Sequence, residues 1–213
     1  MGVLLKKYKP YIRNKKFLLT IGKAFLILLV GICLTTLAII YATEKASNSV
    51  TDIVLSNTRV LDVDGLFIYG PFFYWIVVII YLAYHPNKIP FSLKSIGIFL
   101  IIRSIFMSLT HIGPFPDQLQ IDTISILRVF TSGSDLFFSG HTGLPFLMAL
   151  IFWENKYMRI FSIISSIFFG VVVLLGHLHY SIDVFAAFFI TYSIFCIAEK
   201  IFKKDLQIFK HGL

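Results

Sequence analysis

The stretch AFLILLVGICLTTLAIIY, residues 24–41, decides the class of this protein because it contains no charged residue. A helix that crosses a bilayer needs about 20 consecutive, mostly apolar residues. The remainder of the 213-residue chain has the same character, with 57% hydrophobic residues, 14% charged residues and a mean hydropathy of +0.84. These values are too apolar for a soluble globular domain, so the sequence predicts an all-α membrane protein.

Apolar segments recur along the chain and predict six transmembrane helices. They fall at about residues 20–42, 66–84, 95–112, 136–153, 158–176 and 181–199. Arg103 interrupts the third segment, and the polar residues of the fourth segment crowd into its first half. Because six spans leave little chain over, the sequence predicts a single integral membrane domain over residues 1–213, built as a polytopic helical bundle.

The basic residues predict an orientation. Most of the 19 Lys and Arg residues precede the first span or flank other span ends on that same side, whereas Lys45, Arg59 and Arg128 fall on the opposite side. Cytoplasmic flanks of membrane helices are enriched in Lys and Arg, so both termini are predicted to be cytoplasmic. The formal net charge of +8 is therefore attributed to topology and to contact with anionic lipids, and no nucleic-acid partner is expected.

Two polar segments, SGSDLFFSGHTG at residues 132–143 and HLHYSIDVFAAF at residues 177–188, interrupt the apolar chain. The predicted topology puts both on the extracytoplasmic side, at the starts of spans four and six. In the second segment, His179 and Asp183 are four residues apart and share one face of a helix. The carboxylate can therefore fix the imidazole tautomer and leave the other ring nitrogen to attack an electrophile.

The first polar segment adds a second histidine and an anion site. His141 follows Ser139 and Gly140 at a predicted helix N-terminus, where backbone N–H groups and the helix dipole favour a phosphate. Ionisable groups inside a membrane are costly and indicate function by default. The two segments together predict phosphoryl transfer on a lipid headgroup, with a metal-free site and no cofactor.

Structural interpretations remain open for the same residues. His141, His179 and Asp183 could form a polar cluster that only packs the spans together. Asp135 could orient His141, bind a headgroup amine or merely cap a helix.

Arg103 could hold the phosphate, pair with a buried acid such as Asp183, or only extend toward the membrane surface. Arg128 is a weaker candidate for phosphate binding. His177 invites a metal interpretation that lacks further ligands at suitable spacing, and Tyr180 is expected to be interfacial packing.

The motifs resemble those of the sphingomyelin synthase branch of the type 2 phosphatidic acid phosphatase (PAP2) superfamily. The resemblance rests on D-x-x-x-S-G-H-T at residues 135–142, on H-Y-S-x-D-V at residues 179–184, and on the weaker R-x6-T of Arg103 and Thr110. Six spans with cytoplasmic termini agree with that family.

The resemblance implies a two-step exchange of a phospho-alcohol headgroup. His179, oriented by Asp183, would attack the phosphorus of a glycerophospholipid, and His141 would protonate the departing diacylglycerol oxygen. The acceptor would be ceramide or another lipid alcohol. With water as the acceptor the protein would be a lipid phosphatase, and a non-catalytic membrane protein such as a scramblase is the third alternative. The chemistry of the family uses no metal.

The chain also departs from the family pattern. Ser134 stands where Gly is usual, and the P-P-L-P-D element after span one is missing, with only Leu61-Asp62 and Asp64 in the corresponding region. These differences favour a distant member from a bacterial inner membrane. The loop from Glu44 to Gly65 is expected to cover the site.

Overall fold

The computed structural model of this chain describes residues 2–119 and 136–213. The ordered elements within these residues are helical and include no strand, which confirms the predicted all-α class. The helices are α1 (Gly2–Arg13), α2 (Lys15–Lys45), α3 (Asp64–Tyr84), α4 (Ile89–Leu109), α5 (Gly140–Ile151), α6 (Lys156–Leu175), α7 (Ser181–Ile201) and α8 (Lys203–His211), with short 3₁₀ turns at Leu55–Asn57 and Pro86–Lys88.

Among the described residues, five helices are long and apolar enough to cross a membrane, namely α2, α3, α4 with its preceding turn, α6 and α7. They correspond to the predicted spans one, two, three, five and six. The third begins earlier than predicted because Pro90, which has no N–H to donate, is accommodated in the first turn of α4.

The predicted fourth span, 136–153, is not one continuous helix. Residues 136–139 are non-helical, and Phe137 has a left-handed backbone with φ 70°. The helix starts only after Ser139, whose hydroxyl accepts a hydrogen bond from the Thr142 amide (3.4 Å). The 12 residues of α5 span about 18 Å at 1.5 Å per residue, against about 30 Å for a bilayer core. The count of six spans is therefore approximate.

The longest helix, α2, packs closely on α4 because two glycines face each other at their crossing. A Cβ added to Gly31 would lie 2.8 Å from the carbonyl oxygen of Gly97, and one added to Gly97 would lie 2.7 Å from Cγ2 of Ile27. Small residues permit this close approach of membrane helices. Nearby, the hydroxyls of Thr35 and Ser104 are 3.1 Å apart across the same interface.

One end of the bundle, called the terminal end below, holds α8 and the turn between α3 and α4. The Lys94 ammonium lies 2.7 Å from the Asp205 carboxylate, and both side chains are buried. Phe209 of α8 stacks on Phe152, which directly follows α5 (ring centroids 6.2 Å apart). The short helix α5 therefore ends at the same level as its longer neighbours.

The opposite end, called the loop end below, gathers residues 46–63, 111–119 and 136–139 around the turn 176–180 between α6 and α7. Backbone hydrogen bonds join these loops: the Leu61 amide donates to Leu175 O (2.9 Å), and the Leu119 amide donates to Gly176 O (3.1 Å). The second polar segment and the described part of the first, residues 136–143, lie at this end.

Candidate functional site

His179 and Asp183 form a buried pair at the start of α7. Nδ1 of His179 lies 3.2 Å from Oδ2 of Asp183, and the two side chains are 3% and 0% exposed. The same oxygen accepts the Tyr180 amide (3.1 Å), so the carboxylate also satisfies one amide of the helix N-terminus. Because Nδ1 is engaged, Nε2 is the imidazole nitrogen that remains for chemistry.

The second carboxylate oxygen of Asp183 is unsatisfied within residues 2–119 and 136–213. Oδ1 of Asp183 is buried and has no hydrogen-bond partner among the described residues. Buried polar atoms in folded proteins are nearly always hydrogen-bonded, and each exception needs an explanation. A site that receives a hydroxyl able to donate to this oxygen supplies one.

A main-chain hydrogen bond joins the two sequence motifs. The Ser139 amide donates to the Asp183 carbonyl (3.0 Å), so the N-cap of α5 lies directly on the first turn of α7. Ser166 of α6 supports the arrangement by donating its hydroxyl to the Thr142 carbonyl (2.7 Å). The predicted convergence of the motifs from separate spans is therefore present in the fold.

His141 lies in the first turn of α5, where the helix N-terminus is positive. Its ring stacks on Phe67 of α3, with centroids 4.3 Å apart and an interplanar angle of 29°. Phe67 in turn belongs to a buried cluster that includes Leu178 and Val184, on either side of the His179–Asp183 pair.

Arg103 is buried beside the N-terminus of α5. The residue is 4% exposed, and its Nε donates a hydrogen bond to the Phe138 carbonyl (3.0 Å). A Cβ added to Gly140 would lie 3.4 Å from Nε of Arg103, so the absence of a side chain lets the guanidinium lie against the helix start. Burial rules out the surface-directed role considered from the sequence. The contact that the structure gives the Asp183 carboxylate is with His179, and the alternative pairing of Asp183 with Arg103 stays a prediction.

A cavity of about 230 Å³ connects this polar region to the apolar interior. Its walls come from α2, α3, α4, α5 and α6, and its polar end is formed by Arg103, Gly140 and His141. The remaining lining is largely apolar and includes Ile32, Ile39, Trp75, Leu144 and Phe169. The lining does not include His179 or Asp183.

The loop 46–63 lies against the turn that carries His179. Tyr180 is 2% exposed and is more than interfacial packing: its hydroxyl donates to the Gly113 carbonyl (2.9 Å) and accepts the Val50 amide (3.1 Å). Burial, together with the nearby carboxylates of Asp183 and Asp52, raises the pKa of the Tyr180 phenol. The phenol is therefore neutral at physiological pH and able to donate.

Asp52, in the same loop, was not among the residues predicted from the sequence. It is 8% exposed, and its Oδ2 accepts the Ser181 amide (2.7 Å) at the start of α7. Burial opposes ionisation of this carboxyl, but hydrogen bonds from Leu55, Ser181 and Val54 outweigh it and lower the pKa. In this region the resemblance leaves only Leu61-Asp62 and Asp64 in place of a missing family motif, and it predicts no role for Asp52. The sequence feature that could have indicated a role for Asp52 is its position as a single acidic residue between the Ser-Asn-Ser and Ile-Val-Leu segments.

His177 takes a structural position. Its backbone is left-handed (φ 52°), and its Nε2 lies 3.3 Å from the Thr58 hydroxyl. The ring also meets Phe115 edge-on, with centroids 5.2 Å apart. Among residues 2–119 and 136–213 no group of three His, Cys, Asp or Glu side chains is placed to hold a metal ion.

Two predicted site residues, Asp135 and Arg128, lie outside the described residues. Of the remaining predictions, the fold brings Ser139, Gly140, His141 and Arg103 together at the start of α5, and His179 and Asp183 together at the start of α7.

No curated protein and no solved structure shows significant similarity to the chain. Residues 133–201 match the family described as PAP2 superfamily C-terminal. The matched segment contains both histidine motifs and the helices α5, α6 and α7 that carry them. The match supports the PAP2 superfamily, whose members are typically phosphatases or phosphotransferases.

Proposed function

We propose that this protein is a membrane enzyme that transfers a phospho-alcohol headgroup from a glycerophospholipid to ceramide or another lipid alcohol. The observation that carries the proposal is the cavity whose apolar walls end on Arg103, Gly140 and His141. An apolar chamber with a cation and a helix N-terminus at one end suits a molecule that is a lipid at one end and a phosphate at the other.

The His179–Asp183 pair supports a covalent mechanism. Nε2 of His179 would attack phosphorus, a N–P bond would form, and the bond from phosphorus to the diacylglycerol oxygen would break. The carboxylate of Asp183, 3.2 Å from Nδ1, would stabilise the positive charge that develops on the imidazole.

His141 would act as the general acid and base. Protonated His141 would give its proton to the departing diacylglycerol oxygen and would then accept the proton of the incoming hydroxyl as that oxygen attacks phosphorus. The N–P bond then breaks, and His179 returns to its starting state. Arg103 and the amides at the start of α5 would stabilise the charge on the phosphoryl oxygens.

Lipids would reach the site from the bilayer between α2 and α3. Helix α2 packs mainly on α4 and α3 packs on α6, and the cavity has walls from all four of these helices. The exposed apolar residues of α2 and α3, such as Leu29 and Phe73, are consistent with contact with lipid chains.

The experiment uses purified protein in vesicles with a donor phospholipid that carries ³³P in its headgroup, with and without ceramide. Label in a new phospholipid, dependent on ceramide and lost in His179→Asn, is the expected result. Label released as phosphate or phospho-alcohol would mean that water is the acceptor, and the protein would then be a lipid hydrolase instead of a transferase. Unchanged donor under all conditions would contradict an enzymatic role.

The proposed orientation has the loop end outside the cytoplasm and both termini inside. We expect a cysteine at Ile53, which is 82% exposed at the loop end, to react with a membrane-impermeant maleimide on intact cells. A cysteine at Tyr157, which is 85% exposed at the start of α6, would react only after lysis. The reverse pattern would contradict the orientation.

A further inference from the structure

We propose that Asp52 is a positioning residue for the proposed reaction: it fixes the first turn of α7 and thereby the geometry of His179 and Asp183. This inference rests on the proposed function for its kinetic consequence, but its structural part can be tested without any activity.

Both carboxylate oxygens of Asp52 are used. Oδ1 accepts the amides of Val54 (2.8 Å) and Leu55 (3.1 Å), and Oδ2 accepts the amide of Ser181 (2.7 Å). The first two bonds form a tight turn within the loop 46–63. The third bond joins the loop to Ser181, 129 residues further along the chain, at the start of the helix that carries Asp183. Asp52 therefore couples the loop to the helix.

The bond to Ser181 matters because helix N-termini leave their first amides without partners inside the helix. At the start of α7, Asp183 takes the Tyr180 amide and Asp52 takes the next amide, that of Ser181. Two carboxylates thus hold two consecutive peptide units, immediately after His179. Their negative charges also suit the positive end of the helix dipole.

The loop that presents Asp52 is itself anchored on both sides. The Val50 amide donates to the Tyr180 hydroxyl (3.1 Å), and the Thr58 hydroxyl contacts His177 (3.3 Å). Tyr180 and His177 flank His179 in the chain. The loop therefore contacts the turn on either side of the histidine, and Asp52 supplies the charged contact.

An asparagine cannot replace this carboxylate without loss. It has one acceptor oxygen, so its NH₂ group must face either the Ser181 amide or the two loop amides, donor against donor. Loss of the Ser181 contact would loosen the first turn of α7 and the 3.2 Å contact between His179 and Asp183. A misplacement of about 1 Å at a reacting group can cost about 100-fold in rate.

The test compares Asp52→Asn with Asp62→Asn. Asp62 lies in the same loop, is exposed, and uses Oδ1 to accept the Asp64 amide (3.2 Å), a bond that asparagine can keep. The control therefore removes the same charge from the same loop without touching α7.

We expect Asp52→Asn to lower kcat for headgroup transfer by about 10- to 100-fold with KM within about twofold of the wild type. Hydrogen exchange of the amides at 181–183 should become faster in Asp52→Asn and remain unchanged in Asp62→Asn. Unchanged exchange in Asp52→Asn would overturn the proposal, as would faster exchange with an unchanged kcat. If the wild type has no transferase activity, the proposed function fails, while the exchange comparison still decides the structural coupling.

A second variant guards against misfolding of Asp52→Asn. Ser181→Pro removes the N–H that Asp52 accepts, and proline is favoured at the first position of a helix. The extended backbone of Tyr180 (φ −69°, ψ 155°) suits a residue that precedes proline. Because both substitutions remove one interaction, the double variant should have the kcat of either single variant. If the losses of kcat in the two single variants multiplied in the double variant, the proposed interaction of Asp52 with Ser181 would be contradicted.

Discussion

The two ends of the bundle each bury a carboxyl side chain paired with a basic side chain, but they differ in the hydrogen bonding of the carboxyl group. At the terminal end, Lys94 and Asp205 are 2.7 Å apart, and the Lys94 ammonium also lies 5.3 Å from the Phe202 ring. At the loop end, His179 and Asp183 are 3.2 Å apart, and one oxygen of Asp183 has no partner among the described residues.

This difference separates a structural pair from a candidate for chemistry. A complete pair fixes helices relative to one another, and here it holds α8 against α4. In the His179–Asp183 pair, one carboxylate oxygen and one imidazole nitrogen carry no hydrogen bond to the described part of the chain. These two atoms can therefore still interact with a substrate. The cavity with its cationic end is lined by Gly140 and His141, which directly follow the residue whose amide donates to the Asp183 carbonyl.

The largest effect is expected for His179→Asn. Loss of the nucleophile should reduce headgroup transfer by more than the 10²–10⁴-fold typical of a general acid or base. The midpoint of thermal unfolding in detergent should change little, because the substitution keeps a polar group beside Asp183. Substantial headgroup transfer by this variant would show that the His179–Asp183 pair takes no part in the reaction. The two buried pairs would then both be structural.

The second-largest effect is expected for Asp183→Asn, with a loss of about 10³–10⁴-fold in kcat. Asparagine has nearly the same shape and can still accept the Tyr180 amide in place of Oδ2. It lacks the charge that stabilises a positively charged imidazole. Measurement of kcat alongside hydrogen exchange at residues 180–183 distinguishes lost charge from a disrupted helix start. An active Asp183→Asn enzyme would show that the carboxylate serves only as a cap.

Lys94→Met should affect stability and leave the chemistry intact. Removal of one partner leaves the Asp205 carboxylate buried without its counter-ion, at a cost of about 3–5 kcal/mol of unfolding free energy. The matched double variant Lys94→Met with Asp205→Leu should recover most of this loss. Denaturation in detergent measures the stability, and kcat per folded molecule should equal that of the wild type. A specific loss of kcat in the stable double variant would mean that the terminal end participates in the reaction.

The smallest effect concerns the pH dependence of stability through Asp52. Its pKa is lower in the folded protein than its usual 3.8, so the ionised carboxylate stabilises the fold at pH values above the usual pKa. That contribution declines as the pH falls through the folded-state pKa. The difference in unfolding midpoint between the wild type and Asp52→Asn should therefore be largest near neutral pH and should shrink in acid. A difference that grows in acid would contradict the assignment.

Much of the fold follows from the sequence because hydropathy reports directly on membrane spans. Five of the six predicted spans correspond to long apolar helices. The fourth was predicted too long because composition does not reveal backbone conformation. Leu136, Phe137 and Phe138 are as apolar as a span, yet Phe137 is left-handed and the Phe138 carbonyl accepts a hydrogen bond from Arg103.

The pairing of His179 with Asp183 was predictable because it is local, with the two residues four positions apart in the sequence. His179 precedes α7, so the contact forms across the helix N-terminus and not along one helix face as predicted. The contact of Ser139 with Asp183, the position of Arg103 against Gly140 and the bond from Asp52 to Ser181 are not local. Sequence spacing carries no information on which loop reaches which helix end. The contact of Asp52 with α7 was not predictable for that reason.

The central claim is that the headgroup passes through a covalent bond to His179, and a quench experiment tests it most directly. Protein in detergent is mixed with a headgroup-labelled phospholipid in the absence of an acceptor, quenched in base and digested. We expect a base-stable, acid-labile label on the peptide that contains His179, formed at least as fast as turnover and missing from His179→Asn. Product formation by the wild type without labelled protein, or with the label on another residue, would contradict it.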